Sequence, residues 1–399
     1  MRNSKWSILA FTVANNMFSF ALPSMALSVL SKQISEDLGM SVVQVGILWG
    51  SASVFAVVSS LFGGMIVDRV GPQMVLTILG VATGCLGLVR ATAWSFESIV
   101  ILTALIGAMS PLLTLSNFKV FHQHFPREEI VLANGIMSAG MALGFLLGAQ
   151  LSATFLAPLL GGWRAVFGLY SIFGLLFSVG WWFVLPPFIQ RAGSRVAPLM
   201  EGFSVVVKNK RIWLLGGGIL GVNGAITGVM GYLPLYLQNI GWPIAKASAS
   251  LTVFHFTSLI FTLPIVFYSA RFMQRRFATM FAGILVLAGF GLLFVAQGWI
   301  VWLAVILAGL PRDGFMALFF TQVSETEGVG ASTLATATGI TMMFNGLGSI
   351  IAPPTGNMFE AISPAAPFAY WAILALLGVV CLAVLAFSNR VRLAVNTAS

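Results

Sequence analysis

The feature that most constrains this chain is a series of long apolar runs, most of about 20 residues or more, joined by short polar links. As an α-helix, such a run spans the roughly 30 Å hydrocarbon core of a bilayer. Charged side chains make up 8% of the 399 residues, whereas a soluble domain carries about 25%. The runs lack the alternation typical of outer-membrane strands. We therefore expect an all-α integral membrane protein.

Twelve spans can be counted, six in each half of the chain. The first six are Trp6–Leu30, Val42–Val67, Met74–Ala93, Ser98–Phe118, Val131–Leu156 and Trp163–Leu185. The second six are Ile212–Gln238, Ala247–Ala270, Ala278–Ala296, Trp299–Phe320, Leu334–Met358 and Phe368–Ser388. The predicted domains are a six-helix bundle at residues 1–186, a cytoplasmic linker at 187–211 and a second six-helix bundle at 212–399.

Basic residues set the expected orientation. With the N-terminus in the cytoplasm, 15 Lys and Arg residues fall on the inner side and four on the outer side, which leaves only Arg312 within a span. This bias follows the positive-inside rule and places both termini in the cytoplasm. Because the basic residues are spread over alternate loops, the formal charge of +9 does not indicate nucleic-acid binding.

Two stretches suggest an internal duplication. NGIMSAGMALGFLLG in the fifth span and TGITMMFNGLGSIIA in the eleventh each contain two glycines nine residues apart, Gly135 and Gly144 in one and Gly339 and Gly348 in the other. The offset between the pairs is 204 residues. It predicts two pseudo-symmetric six-helix bundles, with the glycines serving helix packing.

The turn after the second span is the most informative polar stretch. In GMIVDRVGPQMVL, Asp68 and Arg69 lie between two apolar runs, and Gly71 and Pro72 end the helix. Small residues precede it at four-residue spacing, at Ala52, Ala56, Ser60 and Gly64. Such a stripe permits close helix contact in lipid. The stretch is either a gate at a helix end or a charged loop that only fixes topology.

These features resemble the major facilitator superfamily, a family of secondary transporters with twelve helices in two bundles. The resemblance covers almost the whole chain and includes GGWRAVF at 161–167. It implies that Asp68 caps the inner end of the eleventh helix and that Arg69 pairs with Glu128 or Glu129. Gly64 and Gly71 belong to the same gating stretch. Two departures are Pro72-Gln73, where basic residues are usual, and a fourth span without the arginine of proton-coupled drug exporters.

Arg312 and Asp313 are adjacent charges well inside the tenth span. A charge at mid-bilayer costs about 2.5–3.5 kcal/mol on insertion scales, so the pair either neutralises itself in helix packing or serves a site. Pro311 and Gly314 flank it and predict a local break in the helix. A guanidinium suits carboxylate, nitrate or a similar anion because it donates two parallel hydrogen bonds.

The family resemblance implies that spans one, four, seven and ten line a central cavity. On it, the candidate substrate-binding residues are Arg312, Asp313, Asn16, Asn117, Asn223, Tyr232 and Tyr236. Candidate coupling residues are Asp313 and His255, the second of which is otherwise a packing histidine. We interpret Arg90 as reaching toward the lipid headgroups.

Enzyme signatures are absent from the sequence: it has no P-loop, dinucleotide fingerprint or nucleophile elbow. We expect no catalytic residue and no cofactor. We also expect no metal, since no cysteine or acidic partner with metal-ligand spacing accompanies His122 and His124 closely. The sequence thus predicts a monomeric transporter in a bacterial cytoplasmic membrane. It would move a small anion by alternating access, with proton symport or anion exchange.

Two alternatives stay open at this point. Abundant Phe, Trp and Met would also suit a proton-coupled exporter of amphipathic drugs. A non-transporting membrane sensor or scaffold is the alternative from another class.

Overall fold

The computed structural model describes residues 5–185, 203–272, 275–330 and 333–396, and twelve long helical segments occur in them. In chain order they are α1 (Lys5–Val29), α2 (Val42–Val70), α3 (Pro72–Ala91), α4 (Phe96–His124), α5 (Glu128–Leu160), α6 (Trp163–Val184), α7 (Lys210–Asn239), α8 (Ile244–Phe272), α9 (Arg275–Val295), α10 (Ile300–Ser324), α11 (Leu334–Asn357) and α12 (Ala366–Asn396). These described ranges contain no β-strand.

The twelve predicted spans are confirmed in order and within a few residues at most ends. Eleven of the described helices are long and apolar enough to cross a membrane, and α11 is a further helix of 24 residues. Sequence reasoning missed a short helix, Ser31–Leu38, in the first link, and another, Phe203–Lys208, before α7. It also missed single π-helical turns at Met17–Ala21 in α1 and at Ser152–Leu156 in α5.

The chain divides into two compact units. The first contains Met1–Val196 together with Leu233–Thr252, and the second contains Ala197–Tyr232 together with Val253–Ser399. The end of α7 and the start of α8 therefore belong to the first unit. The predicted linker at 187–211 lies mostly outside the described residues, and the predicted domain bounds stay a prediction.

Within the first unit, a buried core around Trp181 and the side-chain amide of Gln73 hold α6 against its neighbouring helices. Trp181 of α6 is fully buried against Ile8, Leu76 and Val120, which come from α1, α3 and α4. Gln73, in the first turn of α3, donates Nε2 to Leu185 O at 2.7 Å and to Trp182 O at 3.2 Å. It thereby satisfies carbonyls that the end of α6 leaves without helical partners.

The repeated glycines lie in matching environments in the two units. A Cβ on Gly144 would lie 2.6 Å from Ala21 Cβ of α1, and a Cβ on Gly348 would lie 2.6 Å from Leu220 O of α7. Gly135 and Gly339 instead have no heavy atom within 4 Å of that position. In each unit, the fifth helix thus packs on the first through the second glycine of the pair. This agreement supports the predicted duplication and the packing role of Gly144 and Gly348.

We predict that Gly348→Ala destabilises the protein, whereas Gly339→Ala does not. The new methyl at position 348 meets a backbone oxygen that cannot rotate away, so a cost of about 1–3 kcal/mol is expected. At position 339, alanine has room and gains roughly 1 kcal/mol in helix propensity. Thermal unfolding of the detergent-purified variants measures both effects. Equal melting temperatures for the two variants would contradict the packing assignment.

Candidate functional site

The tenth span is interrupted at Leu310 and Pro311. Its first half, Ile300–Gly309, ends there, and a second helix, Arg312–Ser324, begins with Asp313 in its first turn. The break predicted from the flanking proline and glycine is present. Because the free N–H groups of a helix start carry partial positive charge, this position favours the carboxylate of Asp313.

Arg312 and Asp313 form an ion pair that a serine on α8 completes. Arg312 Nη1 donates to Asp313 Oδ1 at 2.6 Å, and Ser258 Oγ donates to Asp313 Oδ2 at 2.7 Å. The N–H of Asp313 donates back to Ser258 Oγ at 3.1 Å. The side chains of Arg312 and Asp313 are 21% and 34% exposed, whereas Ser258 is fully buried.

His255 lies three residues before Ser258 and therefore on the same face of α8. Its side chain is 1% exposed. Sequence reasoning found the Arg312–Asp313 pair and, separately, His255, but missed Ser258. The available signal was the three-residue spacing from His255, but only the structure turns that face toward α10.

A second polar contact in this unit joins α7 to α11. Asn223 Nδ2 donates to Asn345 Oδ1 at 2.6 Å, and the hydroxyls of Thr227 and Ser349 are 3.3 Å apart. Asn223 was a candidate from sequence, whereas Asn345 was not. The two contacts are one helical turn apart on both helices, so they form a continuous hydrogen-bonded seam.

Two sequence candidates of the first unit also meet. Asn117 Nδ2 of α4 donates to Asn16 Oδ1 of α1 at 3.2 Å, and Asn16 Nδ2 donates to Thr12 O at 2.8 Å. Both amides are buried. Asn117 Oδ1 has no hydrogen-bond donor among the described residues, which leaves one buried acceptor in this pair.

The two tyrosine candidates are buried in different surroundings. Tyr232 OH donates to Pro364 O at 2.9 Å, and its ring packs against Phe368 and Trp371 of α12. Tyr236 is 7% exposed and lies in the segment that belongs to the first unit. Since the hydroxyl of Tyr232 is used within the second unit, we interpret this residue as a packing contact and do not include it in the proposed site.

The candidate gate turn has the backbone that its sequence predicts. Gly71 has φ +89°, a conformation that favours glycine, and α3 begins directly with Pro72. Asp68 Oδ1 accepts from Lys119 Nζ at 2.9 Å. A Cβ on Gly64 would have no heavy atom of a described residue within 4 Å. The face of α2 that contains the small residues is therefore not covered by another described helix at this position.

The ion pairs at this end differ from the pairing that the family resemblance implied. Glu129 pairs with Lys5, whereas Arg69 was expected to pair with Glu128 or Glu129. Arg69 and Glu128 are exposed. In the described conformation, Glu129 thus joins α5 to α1, and the roles of Arg69 and Glu128 in gating stay a prediction.

The described part of the second unit also contains ion pairs near helix ends. Arg275, at the start of α9, pairs with Glu325, just after α10, and Arg211 Nη1 of α7 lies 2.6 Å from Glu327 Oε2. In the first unit, the α2 end is acidic and the α4 end is basic. In the second unit the basic residue begins α9 and the acidic residue follows α10, so this pair joins a different helix end from the Asp68–Lys119 pair.

The GGWRAVF stretch braces the other end of the first unit. Trp163 Nε1 and the Arg164 guanidinium both donate to Asp37 in the short first-link helix. Arg90 is 5% exposed, with its guanidinium 4.4 Å from the ring centroid of Phe167. The structure therefore shows Arg90 buried by protein, in a cation–π contact, and not extended toward the headgroups.

Comparison with known proteins gives a family for the whole arrangement. A family model described as Major Facilitator Superfamily matches residues 7–353. The fold resembles that of a mutant form of the nucleoside transporter NupG, with a TM-score of 0.79, 16% identity, and coverage of 96% of this chain and 99% of that one. The predicted fold class, twelve helices in two pseudo-symmetric six-helix bundles, is confirmed by these matches.

Two proteins that are similar to this chain in sequence have names that describe different activities. The Probable nitrate/nitrite antiporter NarK1 of Thermus thermophilus is 27% identical over 309 residues, which cover 74% of this chain and 67% of the relative. The Transcription regulatory protein OpdE of Pseudomonas aeruginosa is 28% identical over 322 residues, which cover 77% of this chain and 76% of the relative.

We predict that Asp68→Lys lowers stability and that adding Lys119→Asp to the same chain restores it. The effect should be about 1 kcal/mol or less, because Asp68 is 48% exposed and exposed pairs contribute little. Arg69→Glu, a charge reversal of equal size next to the pair, is the control and should leave the melting temperature unchanged. A double variant no more stable than Asp68→Lys alone would refute this pairing.

Proposed function

Because the chain belongs to the major facilitator superfamily, we propose that it is a secondary active transporter of a small anion. The anion is carboxylate-like or a small inorganic ion, and transport proceeds by alternating access with proton symport or anion exchange. The Arg312–Asp313 pair at the break in α10 is the observation that carries this proposal.

Arg312 supplies the chemistry for anion recognition. Its guanidinium is a planar fork of N–H donors, which matches two oxygens of a planar anion. Carboxylate, nitrate and nitrite all present such oxygens. A positive charge in an apolar span is costly; Asp313 neutralises it in the described conformation, and we propose that the anion takes the place of this carboxylate during transport. The resemblance to a nitrate/nitrite antiporter supports an anionic substrate of this shape.

The other site residues supply hydrogen bonds without charge. We propose Asn16 and Asn117 in the first unit, and Asn223 in the second, as further substrate-binding residues. Asn117 Oδ1, the buried acceptor without a described donor, would accept from a hydroxyl of an organic anion or from bound water. The amides orient the substrate, whereas Arg312 selects its charge.

Alternating access requires that each unit keep its shape while the access side changes. The ion pairs described above lie within the units, Lys5–Glu129 and Lys119–Asp68 in the first and Arg275–Glu325 in the second. They brace each unit internally. We assign the stretch Gly64–Gly71, with Asp68 and Arg69, to the inner gate. We place the protein in a bacterial cytoplasmic membrane with both termini in the cytoplasm.

The resemblance to OpdE favours a second candidate function, that of a membrane sensor. A sensor of this kind would bind an anion at the same pair but would not move it. Binding alone does not separate the two candidates. Uptake of the bound anion by proteoliposomes does, since a sensor retains binding and gives no uptake.

The first test is ligand-dependent stabilisation of the detergent-purified protein. Nitrate, nitrite, gluconate and lactate are compared with ethidium and uncharged rhamnose. A ligand at about 100 times its dissociation constant stabilises the folded state by about 2.7 kcal/mol. We expect at least one anion to raise the melting temperature of the wild type and not that of Arg312→Gln.

Lys246→Gln removes the same charge from a lysine that rests on the Trp242 ring, 4.2 Å from its centroid, and should keep the anion response. Stabilisation by ethidium in both wild type and Arg312→Gln, with no anion effect, would overturn the proposal in favour of a drug exporter.

A further inference from the structure

Ser258 is the fixed partner of the Asp313 carboxylate. Its hydroxyl donates to Oδ2 at 2.7 Å and accepts the N–H of the same residue at 3.1 Å. A serine hydroxyl has one proton to donate and two lone pairs that accept. It is therefore the one partner of this carboxylate that can either donate a hydrogen bond to it or accept one from it. Arg312 can only donate.

The Ser258–Asp313 contact lies where α8 and α10 are packed closely together. One turn earlier, a Cβ on Gly309 would lie 2.6 Å from Phe254 O, so the two backbones touch there. Ser258 is fully buried. Because the helices are in backbone contact beside it, we expect Ser258 to keep its hydrogen-bond distance from Oδ2 when Arg312 moves.

The hydroxyl proton of Ser258 has a second acceptor available along its own helix. Neighbouring hydroxyls of α8 donate to the carbonyl four residues earlier, as Thr257 does to Val253 O at 2.8 Å and Thr262 to Ser258 O at 2.6 Å. Ser258 differs from them only in donating to Asp313. If its hydroxyl rotates to the carbonyl of Phe254, Oγ presents a lone pair toward Oδ2.

Charge balance then sets what happens when an anion arrives. Arg312 and Asp313 together contribute one positive and one negative charge. An anion bound to Arg312 would give the site a net negative charge in an apolar span, which is unfavourable. One proton added to Asp313 restores neutrality and removes the carboxylate that competes with the anion for the guanidinium.

We propose that Ser258 is a positioning residue that accepts a hydrogen bond from Asp313 when this carboxyl is protonated. One anion then moves together with one proton. This rests on the proposed function. A proton from the aqueous phase on the loading side binds Oδ2, and the resulting carboxyl O–H donates to Ser258 Oγ. Arg312 then releases the Asp313 carboxyl and binds the anion in its place. On the opposite side both ligands leave and the ion pair re-forms.

The described groups around Asp313 are consistent with this assignment. Arg312 on its own helix contacts the carboxylate, and His255 lies on the same face of α8 as Ser258. The neighbouring α11 contains no titratable side chain, and α9 contains only Arg275 and Arg276 in its first turn, near the end of α10. His255 is the competing proton carrier, so the experiment includes it.

The test uses full-length protein in proteoliposomes with a trapped pH dye. Nitrate and gluconate are the probes because neither crosses lipid readily as a neutral acid. Uptake is measured in two ways: luminal acidification on addition of the anion, and counterflow of labelled anion without a pH gradient. Wild type should show both, with one proton per anion.

The variants separate coupling from binding. Asp313→Asn imitates the protonated carboxyl, so the ratio of acidification to counterflow should fall to near zero, whatever its rate of counterflow. Ser258→Ala should lower proton-driven uptake about tenfold, the effect of roughly 1.4 kcal/mol at one hydrogen bond, and flatten its pH profile. Ser258→Thr, which keeps the hydroxyl, should restore both, which a purely structural role would not require.

Each contrary result has its own meaning. Counterflow without acidification in wild type would overturn symport and leave the proposed anion transporter intact, as an exchanger. Acidification that survives in Asp313→Asn and is lost in His255→Gln would transfer the proton to the histidine. No uptake of either anion in either assay would instead count against the proposed function with these probes.

Discussion

The Arg312–Asp313 ion pair is the interaction on which the second unit depends. Two charges in an apolar span need partners nearby, and the local structure supplies them. Pro311 opens the helix so that Asp313 lies at a helix start, and Gly309 lets α10 approach α8 closely enough for Ser258 to reach the carboxylate. The break, the close contact and the serine therefore belong to one arrangement. A continuous helix would place Asp313 where no backbone N–H group faces it.

Much of the fold was predictable from the sequence because it follows from local rules. Apolar runs of bilayer length predict helices, and Pro311 with Gly314 predicts the break in α10. Gly71 ends a helix because few other residues adopt a positive φ. The glycine repeat predicted the packing of Gly144 and Gly348, although it did not distinguish them from Gly135 and Gly339. That distinction depends on how each helix is rotated, which spacing alone does not give.

The partners of the site residues were less predictable for the same reason. Ser258 and Asn345 are ordinary polar residues in apolar helices, and only the rotation of α8 and α11 brings them to Asp313 and Asn223. Tyr232 shows the opposite case. It shares a face with Tyr236 by spacing, yet its hydroxyl is bonded to Pro364. At the gate turn, the family resemblance indicated an acidic residue after α4 as the partner of Arg69, whereas Lys5 is close enough to occupy Glu129.

The two units share their packing but differ in their polar chemistry. The same glycine position joins the fifth helix to the first helix in both units. The polar contacts differ: two neutral amides join α1 to α4 in the first unit, whereas in the second unit an ion pair within α10 is hydrogen-bonded to Ser258 of α8. Neutral amides bind a ligand without responding to its charge, whereas an ion pair must rearrange when a charged ligand enters. In the proposed transport cycle, coupling of an anion to a proton therefore originates in the second unit, where the ion pair lies.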